Sequence, residues 1–272
     1  KRTLTENRMS TLLKEELEFT QVPFFTIRNE DRAKQMGLII LETDLTIETE
    51  FRKFLSQDEN SKEQISLLNT RIPCDDKVTA SNLTLMENRF TDSLDLFPKN
   101  YEFDVIGYGC TSASLLIGDE KITKIVKSRV LTENVTTPML AVKKALKVLG
   151  ANKIGYLAPY ISEIAQQMCS NLSETGFDIV NAATFAEDRD SVVGTITPAS
   201  IFKAIETLVG QSKNLEAIFI SCTSLKCASI IPMAEEKFRI PILSSNSALA
   251  WDMVNLAKAN VSKQGKGKLF NF

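Results

Sequence analysis

No histidine occurs in this sequence of 272 residues. Histidine is the commonest general base and the commonest metal ligand in enzymes, so its absence excludes every catalytic triad that depends on it. Long apolar runs are missing as well, because the longest are short segments such as residues 37–41, far below the ~20 residues that a membrane span requires. Any proton transfer that this chain carries out must therefore use other side chains.

An excess of charge of one sign is also absent. The chain has 32 basic and 34 acidic side chains, a formal net charge of -2, so we expect no nucleic acid or other polyanion as its main partner. Residues 1–8 are polar and basic, and no apolar core follows them, so we expect no secretory signal and no membrane association. These features favour a cytoplasmic protein.

Five cysteines are present, at positions 74, 110, 169, 222 and 227, and they form neither an even framework nor a CxxC pair. This spacing argues against a disulfide scaffold and against structural zinc, and free thiols fit a reducing compartment. Gly107 and Gly109 lack the third glycine of a dinucleotide-binding loop, and no Walker-type loop occurs. We therefore expect neither a metal ion nor a cofactor.

Short apolar segments alternate with amphipathic ones from residue 37 onward. Thr197 and Pro198 are typical of a helix start, and Gly210 is typical of a helix end. Strict alternation of this kind predicts parallel sheets covered by helices on both faces. The pattern predicts strands at 37–41, 66–72, 101–108, 153–157, 177–184, 216–221 and 240–243, and helices that start at Thr46 and span 79–97, 138–149, 163–175, 198–209, 231–238 and 247–258.

The alternation falls into two halves, which predicts an α/β fold of two pseudo-symmetric Rossmann-like (flavodoxin-like) domains with an active-site cleft between them. We assign residues 1–35 to an amino-terminal extension, 36–150 to the first domain and 151–245 to the second. A carboxyl-terminal helix at about 246–272 is expected to pack back on the first domain.

The two halves share one motif. Residues 104–115 (DVIGYGCTSASL) and 216–227 (EAIFISCTSLKC) each contain an apolar strand that ends in Cys-Thr-Ser. Ligands of open α/β sheets bind outside the carboxyl ends of the strands, so duplicated halves would place Cys110 and Cys222 in one cleft.

Paired thiols can move protons without a cofactor. A helix start can lower the pKa of a thiol and also binds anions, and each motif leads into a segment expected to be helical. We expect a substrate carboxylate to be held between the two thiols by the neighbouring hydroxyls and amides of Thr111, Ser112, Thr223 and Ser224. One thiolate would attack or deprotonate carbon while the other thiol delivers a proton from the opposite face. The alternative is that each cysteine is a small core residue, which is our interpretation of Cys74, Cys169 and Cys227.

With these paired motifs the chain resembles the aspartate/glutamate racemase superfamily. The segments GLIILETDLTIETEF (37–51), KIGYLAPY (153–160) and EDRDSVVGTITPASI (187–201) resemble its maleate isomerase and arylmalonate decarboxylase branch, and within it the ectoine-utilisation protein A group. The resemblance covers roughly residues 36–257 and implies that Cys110 is the nucleophile or base, that Cys222 is the acid, and that Tyr160 binds a substrate carboxylate.

Two positions depart from that family pattern. Asp44 and Asp190 stand where maleate isomerase carries asparagine, and an ionised carboxylate cannot donate a hydrogen bond to a second substrate carboxylate. If both line the cleft, the substrate should be zwitterionic or hydroxylated. The alternative is that both aspartates are turn or cap residues.

These observations predict a cofactor-independent isomerase, either a racemase or epimerase or a cis–trans isomerase, that acts on a small carboxylate. By resemblance its substrate would come from ectoine or hydroxyectoine degradation, and we expect a homo-oligomer. The alternatives are a maleate cis–trans isomerase, a decarboxylase of the same superfamily, and a non-catalytic cytosolic protein that binds a small molecule.

Overall fold

The computed structural model describes residues 19–27, 32–74 and 89–272. Residues 1–32 form one unit, of which residues 19–27 have no regular secondary structure and are exposed. Residues 33–272 form a second unit, which contains all of the predicted site residues.

Ten strands occur in the described residues of the second unit, and most of the longer ones consist of buried apolar residues, as the central strands of parallel sheets do. They are β1 (Lys34–Leu41), β2 (Ile65–Ile72), β3 (Glu102–Phe103), β4 (Val105–Gly109), β5 (Leu131–Thr132), β6 (Val135–Thr136), β7 (Lys153–Ala158), β8 (Asp178–Thr184), β9 (Ala217–Ile220) and β10 (Ile242–Ser244).

Helices follow most of these strands. Those with complete bounds in the described ranges are α1 (Ile47–Phe54), α2 (Thr111–Ile117), α3 (Asp119–Lys127), α4 (Pro138–Val148), α5 (Ser162–Glu174), α6 (Asp190–Val193), α7 (Pro198–Gln211), α8 (Ile231–Phe238) and α9 (Ser245–Ala257), with a 3-10 turn at Lys268–Asn271. Of the predicted helix 79–97, residues 89–94 are helical, and residues 79–88 lie outside the described part of the chain. In the part of the chain that the structure covers, no helix combines the length and apolarity of a membrane span.

The strands form two four-stranded parallel sheets, which confirms the predicted α/β class. The first has the order β2-β1-β4-β6 and the second the order β10-β9-β7-β8. Counted within its own half, each sheet therefore has the order 2-1-3-4. In flavodoxin-like sheets the ligand site lies where the order reverses, outside the carboxyl ends of strands 1 and 3. The domain bounds given above remain a prediction.

Several predicted boundaries were wrong, and the carboxyl-terminal helix expected at about 246–272 ends at Ala257. The single strand expected at 101–108 is divided at Asp104, because this carboxylate accepts the backbone N–H of Gln35 at 2.6 Å and β3 pairs with β5 instead of β1. Helix α7 continues through Gly210 and ends at Gln211, since a glycine inside a helix costs only about 1 kcal/mol relative to alanine. Its predicted start is confirmed, because Thr197 accepts the backbone N–H of Ser200.

Helix α9 lies against the first sheet although it follows the last strand of the second. A Cβ atom at Gly107 of β4 would come within 2.4 Å of the Met253 sulfur, so this glycine allows the close approach of helix and strand. Asp252 of the same helix is buried, forms an ion pair with Lys144 of α4 at 2.8 Å and accepts the hydroxyl of Thr136 at 2.5 Å. The second half of α9 is thereby held against the first sheet and α4.

Candidate active site

Cys110 directly follows β4 and is the residue before the first turn of α2. Its side chain is 5% exposed, and its sulfur lies 3.7 Å from the hydroxyl oxygen of Ser112. Burial raises the pKa of the Cys110 thiol to about 12, although the backbone N–H of Ala113 and the Ser112 hydroxyl act in the opposite direction. Desolvation of the thiolate therefore outweighs the helix start.

Cys222 follows β9 by two residues and has a φ of 106°, a left-handed conformation that costs a residue other than glycine about 1–3 kcal/mol. Its backbone N–H donates to the hydroxyl oxygen of Ser245 at 3.0 Å. Burial, and then the charge of Asp190, raises the pKa of the Cys222 thiol well above its ordinary value, while the backbone N–H of Ser224 and the nearby Tyr160 hydroxyl act in the opposite direction.

The expected lowering of the two thiol pKa values is thus wrong, because burial raises both of them. The expected helix after the second motif is also wrong. Residues 223–230 form turns and irregular loop, and the next helix begins at Ile231, where the sequence predicted a helix.

Direct contacts join the two Cys-Thr-Ser motifs. The hydroxyl of Thr223 donates to the carbonyl oxygen of Gly109 at 3.4 Å, and the hydroxyl of Thr111 donates to Ser245 at 2.8 Å. The side-chain amide of Asn246 donates to the carbonyl oxygen of Thr223 at 2.7 Å. The segments that carry the two thiols therefore lie beside each other, at the carboxyl ends of the two parallel sheets.

Asp44 follows β1 and is 1% exposed. Its Oδ1 atom accepts the backbone N–H groups of Thr46 and Ile47 at 2.8 and 2.9 Å, which makes it the cap of α1 that one of the two alternatives predicted. Its Oδ2 atom is buried and has no hydrogen-bond partner, because the nearby Thr223 hydroxyl donates to Gly109 instead. Burial raises the pKa of this carboxyl, and the two backbone donors lower it.

Asp190 begins α6 in the second half and is 5% exposed. Its carboxylate accepts the hydroxyl of Thr43 at 2.5 Å and the hydroxyl of Ser224 at 2.7 Å. Among the described residues, neither Asp190 nor Asp44 forms an ion pair with a lysine or arginine. Because the charge of Asp190 raises the pKa of both Cys110 and Cys222, it lies within electrostatic range of both thiols.

Tyr160 lies just beyond the end of β7 and is 2% exposed. Burial raises the pKa of its phenol well above the ordinary value, and charges on Cys222 and Cys110 would raise it further. Tyr160 is consequently a neutral hydroxyl beside Cys222. It occupies in the second half the place that Asp44 occupies in the first, after the first strand of the sheet.

Most of the hydroxyls expected to hold a carboxylate already donate within the protein. Thr111 donates to Ser245, Thr223 to Gly109 and Ser224 to Asp190, whereas Ser112 lies against the Cys110 sulfur. Their role in substrate binding stays a prediction, and it now depends on the backbone amides of these turns more than on their hydroxyl protons.

The other cysteines differ in their distance from this site. Cys227 is fully buried and Cys169 partly buried, as expected of packing residues. Cys74 lies nearer the site than expected, since its sulfur is 3.4 Å from the Thr43 hydroxyl oxygen, and Thr43 in turn donates to Asp190. No group of three or more cysteine, aspartate or glutamate side chains in the described ranges is arranged to hold a metal ion.

The sequence reasoning missed two functional candidates, Ser245 and Asn246. Both are fully buried and belong to the polar run Ser-Ser-Asn-Ser at 244–247, which begins with the last residue of β10. A polar run at the end of a buried strand of a parallel sheet is a signal for a site, because that edge is where ligands bind.

Comparison with known proteins identifies similar chains. The sequence model of one family, described as arylmalonate decarboxylase, matches residues 104–270. The maleate isomerase of Nocardia farcinica is 24% identical over 248 residues, which cover 87% of this chain and 95% of that protein. The arylmalonate decarboxylase of Bordetella bronchiseptica is 23% identical over 137 residues, 50% of this chain and 57% of that protein.

Solved structures with the same fold belong to the same kinds of enzyme. The maleate isomerase Iso from Pseudomonas putida S16 superposes with a TM-score of 0.80 at 19% identity, covering 88% of this chain and 98% of that chain. A cysteine-to-serine variant of the Nocardia farcinica maleate cis-trans isomerase, with a covalently bound succinylcysteine intermediate, has a TM-score of 0.78 at 20% identity over 88% of this chain and 98% of that one.

Proposed function

This chain belongs to the arylmalonate decarboxylase family, and from that premise we propose that it is a cofactor-independent isomerase of a small carboxylate that uses Cys110 and Cys222. The observation that carries the proposal is the equivalence of the two cysteines. Each is a free, buried thiol after the third strand of its own sheet, and hydrogen bonds join the two motifs. A protein with one reactive position does not need this duplication.

Different surroundings suit the two thiols to different tasks. Burial and the charge of Asp190 raise the pKa of both thiols, and one backbone N–H lowers each, but the charge of Asp44 raises the pKa of Cys222 alone. We therefore assign Cys110 as the nucleophile or base and Cys222 as the acid. A cationic group of the substrate that pairs with Asp190 would offset the part of the rise in the Cys110 pKa that Asp190 causes.

Two reactions fit this pair. In a racemase or epimerase, the Cys110 thiolate removes the proton from the carbon beside the carboxylate, and the Cys222 thiol returns a proton to the opposite face. In a cis–trans isomerase, Cys110 adds to a carbon–carbon double bond while Cys222 protonates the neighbouring carbon, and rotation and elimination then reverse both steps. The covalent succinylcysteine of the Nocardia farcinica enzyme supports the second route.

The proposal includes a substrate class. The unpartnered oxygen of Asp44 and the carboxylate of Asp190 make one end of the site acidic, so a group that carries a positive charge or donates hydrogen bonds suits it better than a second carboxylate. An amino- or hydroxy-acid, such as one released in ectoine or hydroxyectoine degradation, has these properties. Because of this acidic end of the site, the proposal includes membership of the ectoine-utilisation protein A group. Maleate is the competing substrate.

Solvent deuterium exchange tests the proposal. The protein in deuterated buffer is mixed with a panel that contains maleate, short amino acids, diaminobutyrate-type compounds and hydroxy acids, and proton NMR follows both deuterium uptake and isomer formation. We expect uptake at carbon for an amino- or hydroxy-acid. Release of carbon dioxide without isomer formation would identify a decarboxylase, and binding without exchange or conversion would identify a non-catalytic binding protein.

A further inference from the structure

Ser245 is the residue through which the two cysteine motifs meet. Its hydroxyl oxygen accepts the Thr111 hydroxyl at 2.8 Å and the Cys222 backbone N–H at 3.0 Å, and the residue is fully buried. Thr111 is the neighbour of Cys110 in the chain. A single oxygen atom therefore fixes the segment beside one thiol and the backbone of the other.

Helix capping does not account for this serine. The capping box of α9 is formed by Ser244 and Ser247, whose side chains each accept the backbone N–H of the other residue. The Ser245 hydroxyl takes no part in that exchange. Its hydrogen bonds to Thr111 and to the Cys222 backbone both run to the cysteine motifs, and these partners lie 134 and 23 residues away along the chain.

The conformation of Cys222 explains why such a support is needed. A φ of 106° is unfavourable for cysteine, and strained residues persist only where their surroundings hold them. The N–H of Cys222 is held by Ser245, and the carbonyl of the next residue, Thr223, is held by the side chain of Asn246. Two residues of the first turn of α9 thus form hydrogen bonds with the strained turn, one at the N–H of Cys222 and one at the carbonyl of Thr223.

Resting on the proposed function, the geometry points to Ser245 as a positioning residue that sets the separation and orientation of the Cys110 and Cys222 thiols. It touches no reacting atom. It acts through Thr111 on one side and through the Cys222 backbone on the other, and Asn246 supports it on the Thr223 side.

The test compares Ser245→Ala with Ser247→Ala. Both changes remove one buried hydroxyl from the same helical turn, but Ser247 serves only the capping box. For the substrate found in the exchange panel, we expect Ser245→Ala to lower kcat by about tenfold to a hundredfold with little change in KM, because small displacements of reacting groups lower the rate without weakening binding. Ser247→Ala should lower the unfolding temperature but leave kcat close to that of the unaltered protein.

Two further variants separate positioning from folding. Ser245→Thr keeps the hydroxyl and should recover part of kcat. Thr111→Val removes the same hydrogen bond from its other end, so its effect and that of Ser245→Ala should be less than additive in the double variant. Equal kcat values for Ser245→Ala and Ser247→Ala would overturn the assignment.

A substrate-free measurement keeps this inference distinct from the proposed function. If the unaltered protein converts no member of the panel, the proposed function fails, and mass spectrometry of iodoacetamide alkylation then decides the role of Ser245. We expect Ser245→Ala to change the alkylation rate of Cys222 at least about threefold relative to Ser247→Ala, because the released turn exposes the thiol. Unchanged rates would overturn the inference.

Discussion

The hydroxyl of Thr223 donates a hydrogen bond to the carbonyl oxygen of Gly109 across 3.4 Å. Thr223 follows one of the paired cysteines and Gly109 precedes the other, so the two motifs are in contact although 114 residues separate these positions. Each motif lies beyond the third strand of a sheet with the order 2-1-3-4. Duplication of one half thus accounts for both the equivalence of the thiols and their proximity.

Replacement of either cysteine by serine should abolish turnover without unfolding the protein. Serine has nearly the same shape, but its hydroxyl is a far weaker acid than a thiol, and positioned acid–base groups contribute about 10² to 10⁴-fold each. We expect Cys110→Ser and Cys222→Ser each to reduce deuterium exchange into substrate by at least about 10²-fold, with an unchanged circular dichroism spectrum.

Cys169→Ser provides the matched control for these variants, since this cysteine lies partly buried in α5. Its exchange rate should match that of the unaltered protein. If Cys222→Ser retained a near-normal rate, only one thiol would be needed and the two-thiol mechanism would be wrong.

Much of this fold follows from the sequence. Buried strands such as β4 and β9 are runs of apolar residues, and their shared Cys-Thr-Ser ending predicts the equivalent positions of Cys110 and Cys222. Strand β6 could not be predicted, because two residues carry no periodicity and their conformation depends on pairing with β4.

The supporting residues of the site were harder to predict. The bonds from Ser245 to Thr111 and from Asp190 to Thr43 join positions 134 and 147 residues apart, and nothing in the local sequence encodes such contacts. The direction of the pKa shift at the two cysteines was predicted wrongly for a related reason. A helix start is visible in the sequence, whereas the degree of burial that opposes it is a property of the packed structure.

Asp44→Asn should change which substrates the protein accepts. Asparagine retains the oxygen that caps α1 but replaces the unpartnered Oδ2 with an amide donor, so the fold should persist while the acidic end of the site loses its attraction for a cation. We expect kcat/KM for an amino-acid substrate to fall by about tenfold to a hundredfold and that for maleate to rise. Steady-state kinetics with both compounds measure the ratio.

Asp178→Asn is the matched control, because Asp178 is exposed at the start of β8. It should leave both values unchanged. A fall of equal size for maleate and the amino acid in Asp44→Asn would argue that Asp44 serves only as a cap and does not select the substrate.

The reactivity of Cys110 should depend on pH in an unusual way. Because burial raises its pKa to about 12, the thiol of the ligand-free protein is protonated throughout the neutral range, and its thiolate fraction grows tenfold for each pH unit. We expect the iodoacetamide alkylation rate of Cys110, followed by mass spectrometry, to rise without a plateau from pH 7 to about 10. An ordinary thiol levels off above about 8.5. A plateau at that pH would show that the Cys110 thiol is not desolvated as the structure indicates.

Glu50 connects α1 to the segment that follows Cys222. Its carboxylate is 4% exposed and accepts the backbone N–H of Cys227 at 3.1 Å and that of Ala228 at 2.8 Å. Burial raises the pKa of Glu50 to about 7 from an ordinary 4.5; the two backbone donors and the charge of Lys53 lower it, and the charge of Asp44 raises it.

The stability of the protein should therefore fall as the pH rises from 4.5 to 7. In this window the folded state keeps a proton on Glu50 that the unfolded state releases, so higher pH favours unfolding, by roughly 3 kcal/mol at most over the whole window. Glu50→Gln cannot ionise and should remove this contribution. Its amide leaves one of the two backbone donors without an acceptor, so we expect lower stability near pH 4.5 but a smaller decline toward pH 7 than in the unaltered protein. Urea unfolding across this pH range measures the free energy of unfolding of both proteins. Contributions from other buried carboxyls, such as Glu235, cancel in the difference between the two values. A constant difference would show that Glu50 ionises alike in the folded and unfolded states.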